Sequence, residues 1–213
     1  MDPALVEIGL LAFTTFFATI SPVDVAALYA AMTPKATDAQ RRTMAIKGTL
    51  IAGVIMLVFA LLGDEVLKRL GITLPAMKTA GGILLLLIAI DMVFARPSGG
   101  SSTTEDETEE AGHKEDVSVF PLATPLIAGP GTMGAVILLS AKTDGNIAQE
   151  MAIIVAIVAI LIVTLGMLLM AGRLQKLLGI TGLNVITRVV GVLLAALAVQ
   201  FIFDGIASSG LLR

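Results

Sequence analysis

Cysteine is absent from the 213 residues, which excludes disulfides, thiolate metal sites and a cysteine nucleophile and leaves the redox compartment unspecified. Charge is scarce: 15% of residues are Asp, Glu, Lys or Arg, against about 25% in an average soluble domain. There is no phosphate-binding loop, no His-Glu-x-x-His, and no serine with a paired histidine and acid. Catalysis by those devices is excluded, and no enzyme activity, cofactor, metal or nucleic-acid partner is expected. Tryptophan is absent and Tyr29 is the single tyrosine. If the chain meets a bilayer it lacks the usual aromatic belt, so Lys and Arg must anchor its edges.

What is present is apolar surface. Hydrophobic residues make up 56% of the chain, and the mean hydropathy is +0.95. From Met151 to Met170 the one polar side chain is Thr164, and about 20 such residues cross a hydrocarbon layer roughly 30 Å thick. The chain reads as an all-α polytopic membrane protein with the lipid bilayer as its surroundings. Six apolar segments are expected, at about 8–33, 45–63, 76–95, 118–141, 148–171 and 183–206. Residues 1–7 carry Asp2 and Glu7 but no Lys or Arg, so no cleavable leader is expected.

Between segments three and four the composition changes. Arg96 to Asp116 runs through Pro-Ser-Gly-Gly-Ser-Ser-Thr-Thr into Glu105, Asp106, Glu107, Glu109, Glu110, Glu115 and Asp116, too polar and like-charged to bury itself. The expected organisation is a first three-segment repeat over 1–95, an acidic cytoplasmic linker over 96–117 and a second three-segment repeat over 118–213. His113, the single histidine, falls in the linker and reads as a solvated residue.

The two repeats share a proline-centred break. Ser21-Pro22-Val23-Asp24 and Gly129-Pro130-Gly131-Thr132 are 108 positions apart, as are Leu70-Gly71-Ile72-Thr73 and Leu178-Gly179-Ile180-Thr181. Gly82 and Gly191, and Phe94 and Phe203, match at 109. Because three is odd, a second copy enters the bilayer from the opposite face, which predicts two inverted repeats with broken first helices. Nine Lys and Arg on loops 1–2, 3–4 and 5–6 face five on the other side (Lys68, Arg69, Lys78, Lys142, Arg213), so the positive-inside rule puts both termini outside. A competing topology makes segments one and four re-entrant hairpins and sorts the same charges eight to six, a weaker bias.

A broken helix in lipid frees backbone groups that protein, water or a ligand must satisfy. At the first break Ser21 suits an N-cap, Pro22 the first helical position and Asp24 the third residue of a capping box. At the second, Gly129 and Gly131 permit unusual dihedrals and close approach around Pro130, after chain kinked by Pro121 and Pro125. Each half-helix start presents N–H groups that attract an anion. Ser21, Pro22, Asp24, Gly129, Pro130, Gly131 and Thr132 are therefore the candidate residues for binding a small solute. Asp24 has two readings, a cap for its own helix or a group that binds solute or couples to a proton or sodium ion. Its repeat mate is the uncharged Thr132. Thr14, Thr15 and Thr19 line a polar path or bond to the preceding turn. Asp91 and Gln200 read as interfacial or helix-bridging. The Gly81-Gly82 pair reads as a close helix-packing surface.

Gly71-Ile-Thr-Leu-Pro-Ala-Met-Lys-Thr-Ala-Gly-Gly82 and Phe120-Pro-Leu-Ala-Thr-Pro-Leu-Ile-Ala-Gly-Pro-Gly-Thr132 resemble motifs of the MarC family of small six-span membrane proteins, also described as neutral amino acid transporters. The resemblance covers nearly all of the chain outside the linker. It implies a plasma-membrane protein moving glycine, alanine and similar solutes, with Pro22, Gly129, Pro130, Gly131 and Thr132 at the family's break positions. Asp24 departs from the family's usual Gly or Thr. Secondary transport is thus expected, by rocking of the two halves. The rival readings are an exporter of drugs or other metabolites, and a non-transporting scaffold or intramembrane enzyme. Oligomeric state is unspecified.

Overall fold

A computed structural model of the chain describes residues 3–33, 36–94, 116–143 and 145–210, without the side chains at 31, 64, 66, 68, 172–181, 183, 184 and 186. Most of the acidic linker, with His113, lies outside the described residues. All regular structure among the described residues is helical: α1 (Pro3–Ile20), α2 (Pro22–Met32), α3 (Asp38–Arg69), α4 (Leu74–Phe94), α5 (Ser118–Ile127), α6 (Pro130–Lys142), α7 (Ile147–Leu169) and α8 (Ala171–Ser208). Five stretches are long and apolar enough to cross a membrane: Pro3–Ala30, Asp38–Gly63, Leu74–Phe94, Ile147–Leu169 and Thr187–Ser208. The pair α5–α6, bent by 55°, is a broken span or a re-entrant segment, and gives a sixth crossing in the first case.

Local chemistry sets the helix starts. Thr37 and Gln40 form a reciprocal capping box before α3: the Thr37 N–H donates to Gln40 Oε1 at 2.9 Å and the Gln40 N–H to Thr37 Oγ1 at 3.3 Å. Gly71, at φ 70°, lets the chain turn out of α3, and Thr73 Oγ1 accepts the Ala76 N–H at 3.3 Å as α4 begins. Asn146 caps α7 by accepting from the N–H groups of Ala148 and Gln149.

One expectation needs correcting here. The stretch between segments five and six is not a loop: α8 starts at Ala171, with Met170 alone between it and the end of α7, and runs through 172–182. Its 38 residues rise about 57 Å, well beyond the membrane-crossing portion Thr187–Ser208. Consequently the two Leu-Gly-Ile-Thr copies differ, one forming the α3–α4 turn and the other lying inside α8.

The interior holds Phe16, Tyr29, Met56, Leu122, Leu126, Leu139 and Ile157, all at most 1% exposed. Leu10, Val54, Val155, Ile162, Leu193 and Phe203 point outward, as lipid-facing side chains do, because hydrocarbon solvates them without penalty. Helices approach closely where glycine removes the side chain. A Cβ on Gly82 would sit 2.7 Å from Ile202 Cγ1 and 2.8 Å from Ala198 O, one on Gly191 would sit 2.8 Å from Met92 Cβ, and one on Gly205 would sit 2.8 Å from Thr79 N. Rising along α4, these contacts descend along α8, so the two helices pack antiparallel.

The pairings cross the sequence midpoint. α1 packs on α7 and α5 on α3; α2 packs on α8 and α6 on α4; α2 packs on α7 and α6 on α3; α3 meets α7 and α4 meets α8. The first three segments and the last three therefore interleave.

Candidate functional site

At the first break the backbone of Ser21 serves both half-helices. Its N–H donates to Phe17 O at 2.9 Å and closes α1, while its carbonyl accepts the N–H groups of Asp24 at 2.9 Å and Val25 at 3.1 Å and opens α2. To do both, Ser21 adopts φ 48° and ψ 71°, a left-handed conformation that costs a non-glycine residue about 1–3 kcal/mol. The expected side-chain cap is not formed. The Ser21 hydroxyl instead donates to Asp24 Oδ2, and the Thr187 hydroxyl of α8 donates to Asp24 Oδ1. Asp24, half-buried in the first turn of α2, is thus held by donors from two helices and by the positive end of its own. Pro22 is buried and lacks an N–H.

The second break is more open. Proline pushes the residue before it out of the helical region, and Phe120 (φ −130°, ψ 127°) and Thr124 (φ −137°, ψ 125°) are extended for this reason. Around each of them α5 forms a wide turn, in which the Leu122 N–H reaches Val117 O and the Ala128 N–H reaches Ala123 O. The approach to the break is therefore irregular rather than a straight helical rise. Gly129 is extended, and α6 restarts at Pro130 with the Met133 N–H on Gly129 O at 2.9 Å. Among the described residues no backbone acceptor reaches the N–H groups of Gly131 and Thr132. Gly129, Gly131 and Thr132 are buried, whereas Pro130 is exposed.

The two broken spans lie against each other, α1 on α6 and α2 on α5. Gly131, however, does not face open space: a Cβ there would lie 2.2 Å from Ile88 Cδ1 of α4, so its first role is packing. Thr14, Thr15 and Thr19 donate to carbonyls of the preceding turn, which removes the polar path. Gln200 donates to Asp204 on its own helix at 2.9 Å and bridges no helices. Gly82 is the packing surface expected of it.

Three features were not foreseen from sequence. Thr187 is the second partner of Asp24, 163 positions away. Arg41 donates to the Thr33 carbonyl at 3.0 Å and 2.5 Å, capping α2, while the Tyr29 hydroxyl donates to Arg41 O at 2.6 Å. Lys47 Nζ donates to Asp116 Oδ2 at 2.7 Å, and Asp116 Oδ1 accepts the Ser118 N–H at 2.9 Å. The Lys47 contact, followed by those with Ser118, holds the Asp116 carboxyl down at about 2. This pair fastens the start of α5 to α3. A recess of about 490 Å³ lies apart from both breaks, at the end of the bundle where α3 and α6 finish and α4 and α7 begin.

Comparison with known proteins gives the context for this arrangement. Residues 6–209 match the description "MarC family integral membrane protein". A UPF0056 membrane protein of Methanocaldococcus jannaschii is 37% identical over 92% of this chain and 95% of its own length. The UPF0056 membrane protein YhcE of Escherichia coli is 34% identical over 91% and 89%. YvbG of Bacillus subtilis is 34% identical over 91% and 92%. No solved structure matches. With six apolar segments, two proline breaks and a family match that runs nearly end to end, the chain belongs to the MarC family of integral membrane proteins.

Proposed function

We propose that this protein is a secondary transporter of small neutral amino acids, glycine- or alanine-like, in the plasma membrane, with both termini outside. The solute's carboxylate is held at the half-helix starts after Ser21 and Gly129, and Asp24 serves coupling to a proton or sodium ion. One observation carries this reading. Among the described residues no backbone acceptor reaches the N–H groups of Gly131 and Thr132, which are buried next to an exposed Pro130, and such groups favour an anionic partner.

The division into inverted repeats, 1–95 and 118–213, belongs to the same proposal. It is supported by the antiparallel α4–α8 crossing, where Gly82 faces Ile202 and Gly191 faces Val93. Residues 82 and 191, and 93 and 202, are each one repeat apart. Because the halves interleave, rocking one against the other would tear most of the packing. The moving bodies are instead the glycine-locked pair α4–α8 and the pair α3–α7, with the broken spans between them.

The test is uptake of labelled glycine or alanine into proteoliposomes under an imposed proton or sodium gradient. Saturable uptake above protein-free vesicles is expected, and uptake no greater than in such vesicles under either gradient ends the proposal.

A further inference from the structure

Thr49 of α3 and Ser118 at the start of α5 are 6% and 0% exposed, and among the described residues the hydroxyl of each is buried without a hydrogen-bond partner. Elsewhere in the bundle such groups are paired. Buried Thr33 and Thr164 donate to the carbonyl one turn back, on Tyr29 and Ile160, whereas Thr49 makes no such bond to Ala45. A buried hydroxyl is ordinarily satisfied, and an orphan one costs stability. The two orphans belong to one junction. Gly48, beside Thr49, brings α3 so near α5 that a Cβ there would sit 2.9 Å from Ser118 O and 2.7 Å from Leu122 Cδ2. Lys47 and Asp116, paired at 2.7 Å and about half exposed, close the junction at the surface.

Helix registers place this junction relative to the second break. α6 ends beside the end of α3, where Ser140 and Glu65 line one recess, so the two helices run in the same direction. Gly63 meets Ile137. Gly131, six residues earlier, is therefore opposite about residue 57 of α3, and the Gly48–Ser118 contact lies about 13 Å from it at 1.5 Å per residue, toward the face from which the linker enters α5. On the other flank the glycine contacts of α4 with α8 put Thr187 just past the end of α4, about 11 Å from the level of Ile88, which packs on Gly131. Asp24, held by Thr187, shares that level. α2 packs on α8 and on α5, and α5 on α3. Polar groups from four adjoining helices thus lie at one depth between the second break and the linker-side face.

We infer that the seam between α3 and α5 is the passage by which a small polar solute moves between the second break and the linker-side face, with the Thr49 and Ser118 hydroxyls as its way station. A hydroxyl both donates and accepts, so the pair serves a carboxylate or an ammonium group in transit, and the contact at Gly48 closes the seam behind it. α5 suits the moving side, because the extended residues Phe120 and Thr124 leave it less regular than α3. The inference rests on the reading that solute binds at the second break.

Because the chain lacks cysteine, Ser118→Cys places a single thiol in the seam. Membrane-impermeant methanethiosulfonate ethylsulfonate is added to sealed vesicles holding the full-length protein, and Ser101→Cys, in the linker, shows which face the reagent reaches. From that face Ser118→Cys should react about tenfold or more faster than Ala12→Cys, an equally buried position on α1. Lys47→Gln, which by charge alone would slow an anionic reagent, should instead raise the rate, by up to about fivefold for a half-exposed ion pair. Thermal unfolding in detergent is the second readout. Thr49→Val and Ser118→Ala should leave the midpoint unchanged or raised, since each removes an orphan hydroxyl, whereas Thr164→Val should lower it. A Ser118→Cys rate no greater than that of Ala12→Cys, reaction from the opposite face only, or midpoints lowered by Thr49→Val and Ser118→Ala as much as by Thr164→Val overturns the inference. Saturating alanine should slow the reaction of Ser118→Cys. If the thiol reacts as expected and alanine does not slow it, the passage stands and the amino acid reading fails, so the two failures are told apart.

Discussion

At Asp24 a carboxylate sits in the first turn of a half-helix with each oxygen on a hydroxyl, Ser21 from its own break and Thr187 from α8. Thr187→Val keeps the shape and removes one donor, which should lower stability in detergent by about 1–3 kcal/mol, the range for orphaning a buried polar group. Thr187→Ser should restore it, and unfolding midpoints of the two variants check this. A second residue-scale prediction concerns acid. The Asp116 carboxyl is lowered from 3.8 to about 2 by Lys47 and Ser118. A carboxyl whose folded value is depressed stabilises the fold above its unfolded value and loses that contribution as pH falls through the folded one. The side chains are about half exposed, 50% and 49%, so the contribution is at most about 1 kcal/mol. The stability difference between wild type and Asp116→Asn should be constant above pH ~5 and fall away between there and pH ~1. Sequence revealed where the break falls, because proline at a helix start has local causes. It gave no sign of Thr187, because that contact depends on how α2 and α8 pack, and nothing near Thr187 distinguishes it from other membrane threonines.

At the scale of elements, glycines separate into those that packing requires and those it does not. A Cβ at Gly82 would meet the backbone of α8 at 2.8 Å, whereas at Gly166 nothing lies within 4 Å. Gly82→Leu should therefore cost about 1–3 kcal/mol or more through overpacking, while Gly166→Ala should be neutral to slightly stabilising; thermal unfolding of both in detergent compares them. Gly131 is intermediate, since its neighbour is the flexible tip of Ile88. Gly131→Leu should lower folded yield, and Ile88→Ala in the same chain should recover it. The kinks before Pro121 and Pro125 were legible, because proline acts on its immediate neighbour. The identical Leu-Gly-Ile-Thr copies were misleading: Gly71 takes φ 70° in a turn, while its counterpart lies within α8. Four residues do not determine their own conformation when the flanking chain can continue a helix.

For the whole molecule, apolar periodicity located the spans and the break register suggested a duplication, but neither says which helix neighbours which. Interleaving is a property of packing, and it bears on the proposed transport, since segments that pack mainly across the midpoint do not form two separately packed halves. The α4–α8 pair is tied by Gly82, Gly191 and Gly205, and the broken spans lie between it and α3 and α7, α2 packing on both α8 and α7 and α6 on both α4 and α3. The central claim is that backbone N–H groups at the second break receive the solute's carboxylate. Its most direct test is the amide ¹⁵N–¹H resonances of Gly131 and Thr132 in lipid, followed while alanine is added. Saturable shifts at both amides with alanine, and none with ethylamine, which lacks the carboxylate, are predicted. Unmoved amides in protein that transports alanine would contradict the account.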